Sequence, residues 1–199
     1  RPRRRRSSSF TRLYRNFTVK APACLLTSSP GQVIILLLYE KEAASMVLAI
    51  DVGNSNICIG VFQGNRSLLT ARIRTDPLRT ETEYAVMLHQ ILTLNRLDPA
   101  EIEGAVLSCV VPVLTPTLRE AVRKLAPVQV LTVGPGIRMG INLRIDEPAS
   151  CGADLVCTAV GAAEKYPLPA IIIDLGTATK ITVVDEKRSY LGGMIAPGV

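Results

Sequence analysis

Short apolar runs alternate with turn-forming residues from residue 46 onward, and this pattern predicts strands before any helix. We expect the first three strands at residues 47–52, 57–63 and 67–75, with a hairpin turn at Gly64-Asn65. The first helix is predicted over residues 81–94, because Thr80 and Glu83 form a capping-box pattern in front of an apolar stripe.

The rest of the chain continues with crossovers and then a second group of strands. The further predicted strands are 105–111, 128–133, 170–175, 180–186 and 190–195, and the further predicted helices are 115–126 and 153–166. Strands joined by hairpins, followed by strand–helix alternation, predict an α/β fold with mixed sheets and flanking helices. Because the second group stops after its third strand, we expect a fragment whose C-terminus is absent.

The composition predicts a folded chain without a membrane span. Apolar residues make up 48% of the 199 residues and charged residues 20%, which excludes wholesale disorder. The longest apolar run covers residues 33–39, far short of the roughly 20 residues that span a bilayer. The five cysteines form no CxxC pair, so neither a disulfide scaffold nor a structural zinc site is indicated, and a reducing compartment is expected.

The net charge of +6 lies at one end of the chain. Residues 1–45 hold nine of the 23 basic residues and two of the 17 acidic ones, a net +7, which leaves 14 basic and 15 acidic residues, a net −1, in residues 46–199. We expect residues 1–45 to be a basic, disordered extension; a transit peptide or a signal sequence is the alternative. The folded part therefore gives no reason to expect a nucleic-acid partner.

One turn occurs twice with the same spacing of polar residues. Residues 51–56 (DVGNSN) and 174–179 (DLGTAT) both read Asp-x-Gly-(Asn/Thr)-x-(Asn/Thr), and both follow an apolar strand. A strand-end Asp is a hard oxygen ligand for Mg²⁺, the Gly allows a close backbone approach, and the turn N–H groups form an anion nest. One copy would indicate an ordinary hairpin turn, whereas two copies facing each other across a cleft favour a triphosphate and its metal. No Walker A motif is present.

Two further clusters are ambiguous by themselves. Asp154 follows Gly152 and Ala153 at the predicted start of a helix, where composition alone indicates an ordinary helix-start carboxylate. Residues 192–198 (GGMIAPG) are either a segment that approaches a ligand closely or simply a loop.

In this order, the four motifs DVGNSN, GAD, DLGTAT and GGMIAPG resemble those of type III pantothenate kinases, over residues 46–199. These enzymes belong to the acetate and sugar kinase/actin superfamily. The resemblance implies a duplicated ribonuclease-H-like fold, with one half at 46–167 and the start of a second at 168–199. It implies ATP-dependent phosphorylation of pantothenate to 4′-phosphopantothenate, the first step of coenzyme A synthesis, by a cytoplasmic homodimer. The implied cofactors are ATP, Mg²⁺ and a monovalent cation, K⁺ or NH₄⁺.

The resemblance also implies a role for individual residues. Asp154 would accept the proton of the pantothenate hydroxyl, Asp174 would hold the monovalent cation, and Asp51 would lie near Mg²⁺. The residues implied at the ATP phosphates are Asp51, Val52, Gly53, Asn54, Ser55, Asn56, Ile57, Cys58 and Thr177. The residues implied at pantothenate are Gly152, Ala153, Asp154 and Leu155.

Three positions depart from the family pattern. Leu155 stands where an Arg is common, Ile145 where many members have Tyr, and Lys180 where a second Thr often closes the turn. We expect Lys180 to begin a strand on its solvent face; a phosphate contact is the alternative. Two other functions stay open: a sugar or carboxylate kinase of the same superfamily, and a nucleotide-binding regulator that does not catalyse.

Overall fold

The computed structural model describes residues 24–27, 33–36, 46–64, 66–134 and 137–198. Most of the predicted extension, and Asn65 of the predicted hairpin turn, lie outside the described residues. Within residues 1–45, two short strands, β1 (Cys24–Thr27) and β2 (Val33–Leu36), pair in antiparallel fashion.

The larger of the two main sheets, called the first sheet below, has five strands in the order β5-β4-β3-β6-β7. The strands are β3 (Met46–Val52), β4 (Asn56–Gln63), β5 (Arg66–Arg74), β6 (Ile102–Cys109) and β7 (Val130–Thr132). The first three form an antiparallel meander, while β6 and β7 run parallel to β3. Parallel neighbours need crossover connections, and helices α1 (Glu81–Leu94) and α2 (Leu114–Leu125) supply them. The predicted mixed α/β class is confirmed.

Helices α1 and α2 cover one face of this sheet. Thr80 caps α1, and the predicted capping box with Glu83 is formed. The stripe of Tyr84, Leu88 and Leu92 is buried against the sheet, as helical spacing predicts. The packing of these side chains holds strands β3 and β4 in place and so positions the turn that joins them.

Helix α3 (Ala153–Lys165) lies between the two sheets and is buried on nearly all sides. Val156, Cys157 and Val160 pack against the second face of the first sheet. Ala159 packs against Val184 and Tyr190 of the other sheet. A helix that is apolar all round must be enclosed in this way, and the enclosure places its N-terminus at the boundary between the sheets.

The second sheet has four strands in the order β8-β11-β10-β9. They are β8 (Asn142–Leu143), β9 (Ala170–Leu175), β10 (Ala178–Val184) and β11 (Ser189–Pro197). Strands β9, β10 and β11 form an antiparallel meander like that of the first sheet, and β8 pairs in parallel with β11. The sequence does not predict β8, since two residues are too short for a periodic pattern. No helix in the described part of the chain is long and apolar enough to cross a membrane.

Candidate active site

The two repeated turns face each other across the boundary between the sheets. The hydroxyl oxygens of Ser55, in the first turn, and Thr177, in the second, are 3.1 Å apart although 122 residues separate them in the chain. Both side chains are exposed, as is that of Asn54. Two donor-rich turns are therefore brought together at one surface site, which is the arrangement that the sequence repeat predicts.

The first turn is held by its own backbone and by a residue from the next strand end. The amide of Gly53 donates a hydrogen bond to the carbonyl of Asn56 at 2.9 Å. The hydroxyl of Thr75 donates to the carbonyl of Gly53 at 2.7 Å, and its amide donates to the carbonyl of Ser55 at 3.0 Å. Thr75 is buried and was not predicted as a site residue, because only the folded meander brings it beside the turn.

Three residues implied at the ATP phosphates have their side chains in the core. Val52 and Ile57 are fully buried on the α1–α2 side of the first sheet, and Cys58 is buried on the α3 side. Strand alternation requires this placement. These three residues can face a ligand only through their backbone, whereas Asn54, Ser55 and Thr177 can present side-chain donors.

Three aspartates line the boundary between the sheets. Burial, together with the nearby negative charge of Asp154, raises the pKa of Asp51 to about 6 from its ordinary value of 3.8, and Asp174 acts in the same direction. The Oδ1 atoms of Asp51 and Asp174 are buried and have no hydrogen-bond partner in the described part of the chain. Both strand-end aspartates of the repeat thus have a free acceptor at the site.

Lys180 lies between two of these carboxylates. Its Nζ is 2.7 Å from Oδ2 of Asp154 and 3.3 Å from Oδ2 of Asp174. The predicted solvent-face position of Lys180 is wrong, because the β9–β10 register pairs it with Asp174 on the side that faces α3. Burial alone would lower the pKa of Lys180, but the hydrogen bond and charge of Asp154 and the charge of Asp174 outweigh it and raise that pKa.

Asp154 lies in the first turn of α3, where the helix dipole favours a carboxylate. Its Oδ1 accepts a hydrogen bond from the amide of Leu155 at 2.9 Å, while its Oδ2 faces Lys180. A Cβ at Gly152 would lie 2.6 Å from that Oδ1, so the glycine leaves room for the carboxylate. Asp154 is therefore more than a helix-start residue, since the second sheet supplies its ionic partner.

The two apolar departures from the family pattern touch the same cluster. Ile145 and Leu155 both pack against the cluster of Ala159, Val184 and Tyr190. Burial and the neighbouring Cys151 raise the pKa of the Tyr190 phenol to about 12. The cluster that surrounds Leu155 is thus largely apolar, and position 155 supplies no cation to the site.

The glycines of residues 192–198 serve contacts within the protein. Residues 192–197 belong to strand β11 and are not a loop, and Gly198 directly follows the strand. A Cβ at Gly193 would collide with the carbonyl oxygen of Ile181, and one at Gly198 with the carbonyl oxygens of Gly176 and Thr177. Gly198 therefore packs directly against the second repeated turn.

We expect Gly198→Ala to weaken ATP binding by about tenfold, because the added methyl group must displace the turn that carries Thr177 at a cost of about 1–3 kcal/mol. Isothermal titration calorimetry with the nucleotide measures the change. Gly104→Ala is the matched control, since a Cβ at Gly104 meets no atom within 4 Å. Equal ATP affinities for the two variants would show that close packing at Gly198 does not matter for the site.

A family model for type III pantothenate kinases matches residues 47–199. The chain belongs to the type III pantothenate kinase family. A curated type III pantothenate kinase from Moorella thermoacetica is 44% identical over 154 residues, which cover 77% of this chain and 61% of the relative. The chain thus spans about three fifths of the length of that type III pantothenate kinase.

Solved structures outside the type III pantothenate kinases are similar at lower identity. The ethanolamine utilization protein EutJ from Carboxydothermus hydrogenoformans is 15% identical, with a TM-score of 0.43 over 77% of this chain and 52% of that one. The ROK hexokinase from Thermus thermophilus is 17% identical, with a TM-score of 0.40 over 73% of this chain and 47% of that one.

Proposed function

We propose that this protein transfers the γ-phosphoryl group of ATP to the hydroxyl of pantothenate, giving ADP and 4′-phosphopantothenate in the first step of coenzyme A synthesis. The contact between Ser55 and Thr177 carries this proposal, because it brings together the two repeated turns in a chain that belongs to this kinase family. We also propose, from the resemblance to that family, that the protein is a cytoplasmic homodimer.

The two turns are suited to hold the ATP phosphates. Asn54, Ser55 and Thr177 offer exposed amide and hydroxyl donors, and glycines 53 and 176 let the backbone come close to an anion. In phosphoryl transfer, positioning and charge neutralisation carry most of the rate enhancement. Donors from both sheets around one phosphate chain would provide that positioning.

The site fits Mg²⁺ bound together with ATP. Within the described ranges, no three His, Cys, Asp or Glu side chains are arranged to hold a metal by themselves. Mg²⁺ in kinases usually takes one or two carboxylates, with phosphate oxygens and water completing its shell. The free buried Oδ1 atom of Asp51 fits that role. When bound, the metal supplies charge neutralisation on the phosphates.

Asp154 is suited to act as the proton acceptor. As the pantothenate hydroxyl oxygen bonds to the γ-phosphorus, the bond to the β–γ bridging oxygen breaks and ADP leaves with that electron pair. The hydroxyl proton passes to the carboxylate of Asp154, which Leu155 and Lys180 hold in place through its two oxygens. Gly152, Ala153 and Leu155 would form the wall beside the pantothenate hydroxyl.

A substrate panel tests the proposed function. The protein, expressed to the end of its reading frame, is incubated with Mg²⁺-ATP and with pantothenate, glucose or acetate in separate reactions, and products are identified by mass spectrometry. We expect phosphorylation of pantothenate alone. If glucose or acetate is phosphorylated and pantothenate is not, the result would instead support another kinase of the superfamily.

A regulator without catalysis is the second candidate, and the apolar Leu155 and Ile145 favour it. These residues remove polar groups from the region beside Asp154. ATP binding without turnover of any substrate in the panel would support the regulator and reject the kinase proposal.

A further inference from the structure

Lys180 closes an ionic bridge between parts of the chain that are distant in sequence. Asp154 lies in the first turn of α3, whereas Asp174 and Lys180 are cross-strand partners in β9 and β10. The ammonium reaches Oδ2 of both carboxylates at 2.7 and 3.3 Å. All three side chains are largely buried, with exposed fractions of 27% for Lys180, 18% for Asp154 and 17% for Asp174. The bridge is therefore well shielded from solvent.

The bridge answers an electrostatic requirement of the site. Two carboxylates that face each other out of water repel, and a cation between them removes the repulsion. A lysine ammonium has three N–H donors, of which two satisfy Asp154 and Asp174. The third is left for a further acceptor at the site. Residue 155 cannot supply this charge, because it is a leucine packed into the apolar cluster with Ile145.

The same place does not fit an added monovalent cation. The resemblance implies K⁺ or NH₄⁺ at Asp174, yet Oδ2 of Asp174 already accepts from the Lys180 ammonium. The ε-ammonium has the same charge as NH₄⁺ and the same kind of N–H donors, but it is tethered to β10. A second cation on the remaining Oδ1 of this carboxylate would lie next to the ammonium and would meet its repulsion.

We propose that Lys180 is a built-in monovalent cation, which positions Asp154 and neutralises Asp174, so that neither ATP binding nor phosphoryl transfer needs K⁺ or NH₄⁺. This inference rests on the proposed kinase function. Lys180 acts through Asp154 and is a positioning residue. In its absence, the gap between Asp154 and Asp174 becomes a site that a free monovalent cation can fill.

The test compares wild type with Lys180→Thr in chloride salts of K⁺, NH₄⁺ or tetramethylammonium, at a constant ionic strength of about 0.1 M so that general screening is equal. For wild type we expect the turnover rate and the ATP dissociation constant to agree within about twofold in all three salts. The thermal midpoint should be the same in all three within the measurement error. For Lys180→Thr we expect turnover to fall on the order of 10²-fold in tetramethylammonium and to recover in K⁺ or NH₄⁺. We also expect K⁺ to raise the thermal midpoint of this variant without substrates.

Two further variants separate charge from structure. Lys180→Arg keeps the charge, so its turnover and thermal midpoint should not respond to K⁺. Lys187→Met removes an exposed lysine from the hairpin after β10 and should behave like wild type.

Two results would overturn the inference: a wild type that K⁺ activates or stabilises over tetramethylammonium, or a Lys180→Thr protein that does not respond to K⁺. The wild-type comparison decides even if Lys180→Thr fails to fold. If pantothenate is not phosphorylated in any salt, the proposed function fails. The thermal midpoints then still decide whether Lys180 replaces a free cation.

Discussion

Asp154→Asn is expected to lower the rate of pantothenate phosphorylation by about 10²–10⁴-fold, the range that a positioned general base contributes. Asparagine has nearly the same shape as aspartate and can still accept from the amide of Leu155 through its side-chain oxygen. It cannot take up the hydroxyl proton. ATP affinity should stay within about twofold of wild type, since the phosphate turns do not include residue 154.

Turnover assays and calorimetric ATP titrations of the same preparation measure these two quantities. Asp146→Asn is the matched control, because Asp146 is an exposed carboxylate on the segment that precedes α3. Near-normal turnover in Asp154→Asn would remove Asp154 as the proton acceptor. A parallel loss of ATP affinity would instead mean that the residue supports nucleotide binding.

Asp51→Asn is expected to stabilise the nucleotide-free protein by up to about 3 kcal/mol near pH 8, the equivalent of raising a carboxyl pKa from 3.8 to about 6. Between these two values the folded state holds a proton that the unfolded chain has released. The stability associated with Asp51 is therefore fully present below about pH 3.8 and is lost as the pH rises through 6. Asparagine cannot ionise, so it avoids this loss.

Urea unfolding in EDTA at two pH values measures the effect. The difference between Asp51→Asn and wild type should shrink to about half near pH 5, where the wild-type carboxyl is mostly protonated in the folded state. Asp146→Asn should show no such pH-dependent gain, because its exposed carboxylate has no burial cost to relieve. An Asp51→Asn protein no more stable than wild type near pH 8 would contradict the unfavourable burial of Asp51. The same variant should bind Mg²⁺-ATP more weakly, since it loses a free carboxylate oxygen.

The sequence predicts well those features that depend on local pattern. Helix α1 has the predicted limits because a capping box and an apolar stripe define it. The meeting of the two turns follows from their repetition after equivalent strands, and Ser55 and Thr177 do lie together. Strand β8 escapes prediction because its pairing with β11 is a tertiary contact of two residues.

Lys180 shows why the face of a strand is hard to assign from sequence. Ile181 and Val183 suggest that these residues point inward and that Lys180 and Thr182 point to solvent. In the structure Thr182 is buried and Lys180 faces α3, while the opposite face of the sheet exposes the apolar Ile171 and Ile173 of β9. When both faces of a sheet carry apolar side chains, alternation shows which residues share a face but not which face is turned toward the protein interior. The partner strand and its charges decide which face that is.

The stoichiometry of one reaction tests most directly whether this site phosphorylates pantothenate. The protein, expressed to the end of its reading frame, is mixed with Mg²⁺-ATP and pantothenate, and ADP and 4′-phosphopantothenate are quantified together by mass spectrometry. Equal amounts of both products are expected, with ADP formation depending on pantothenate. ATP that is bound but not consumed, or ADP formed without 4′-phosphopantothenate, would contradict it.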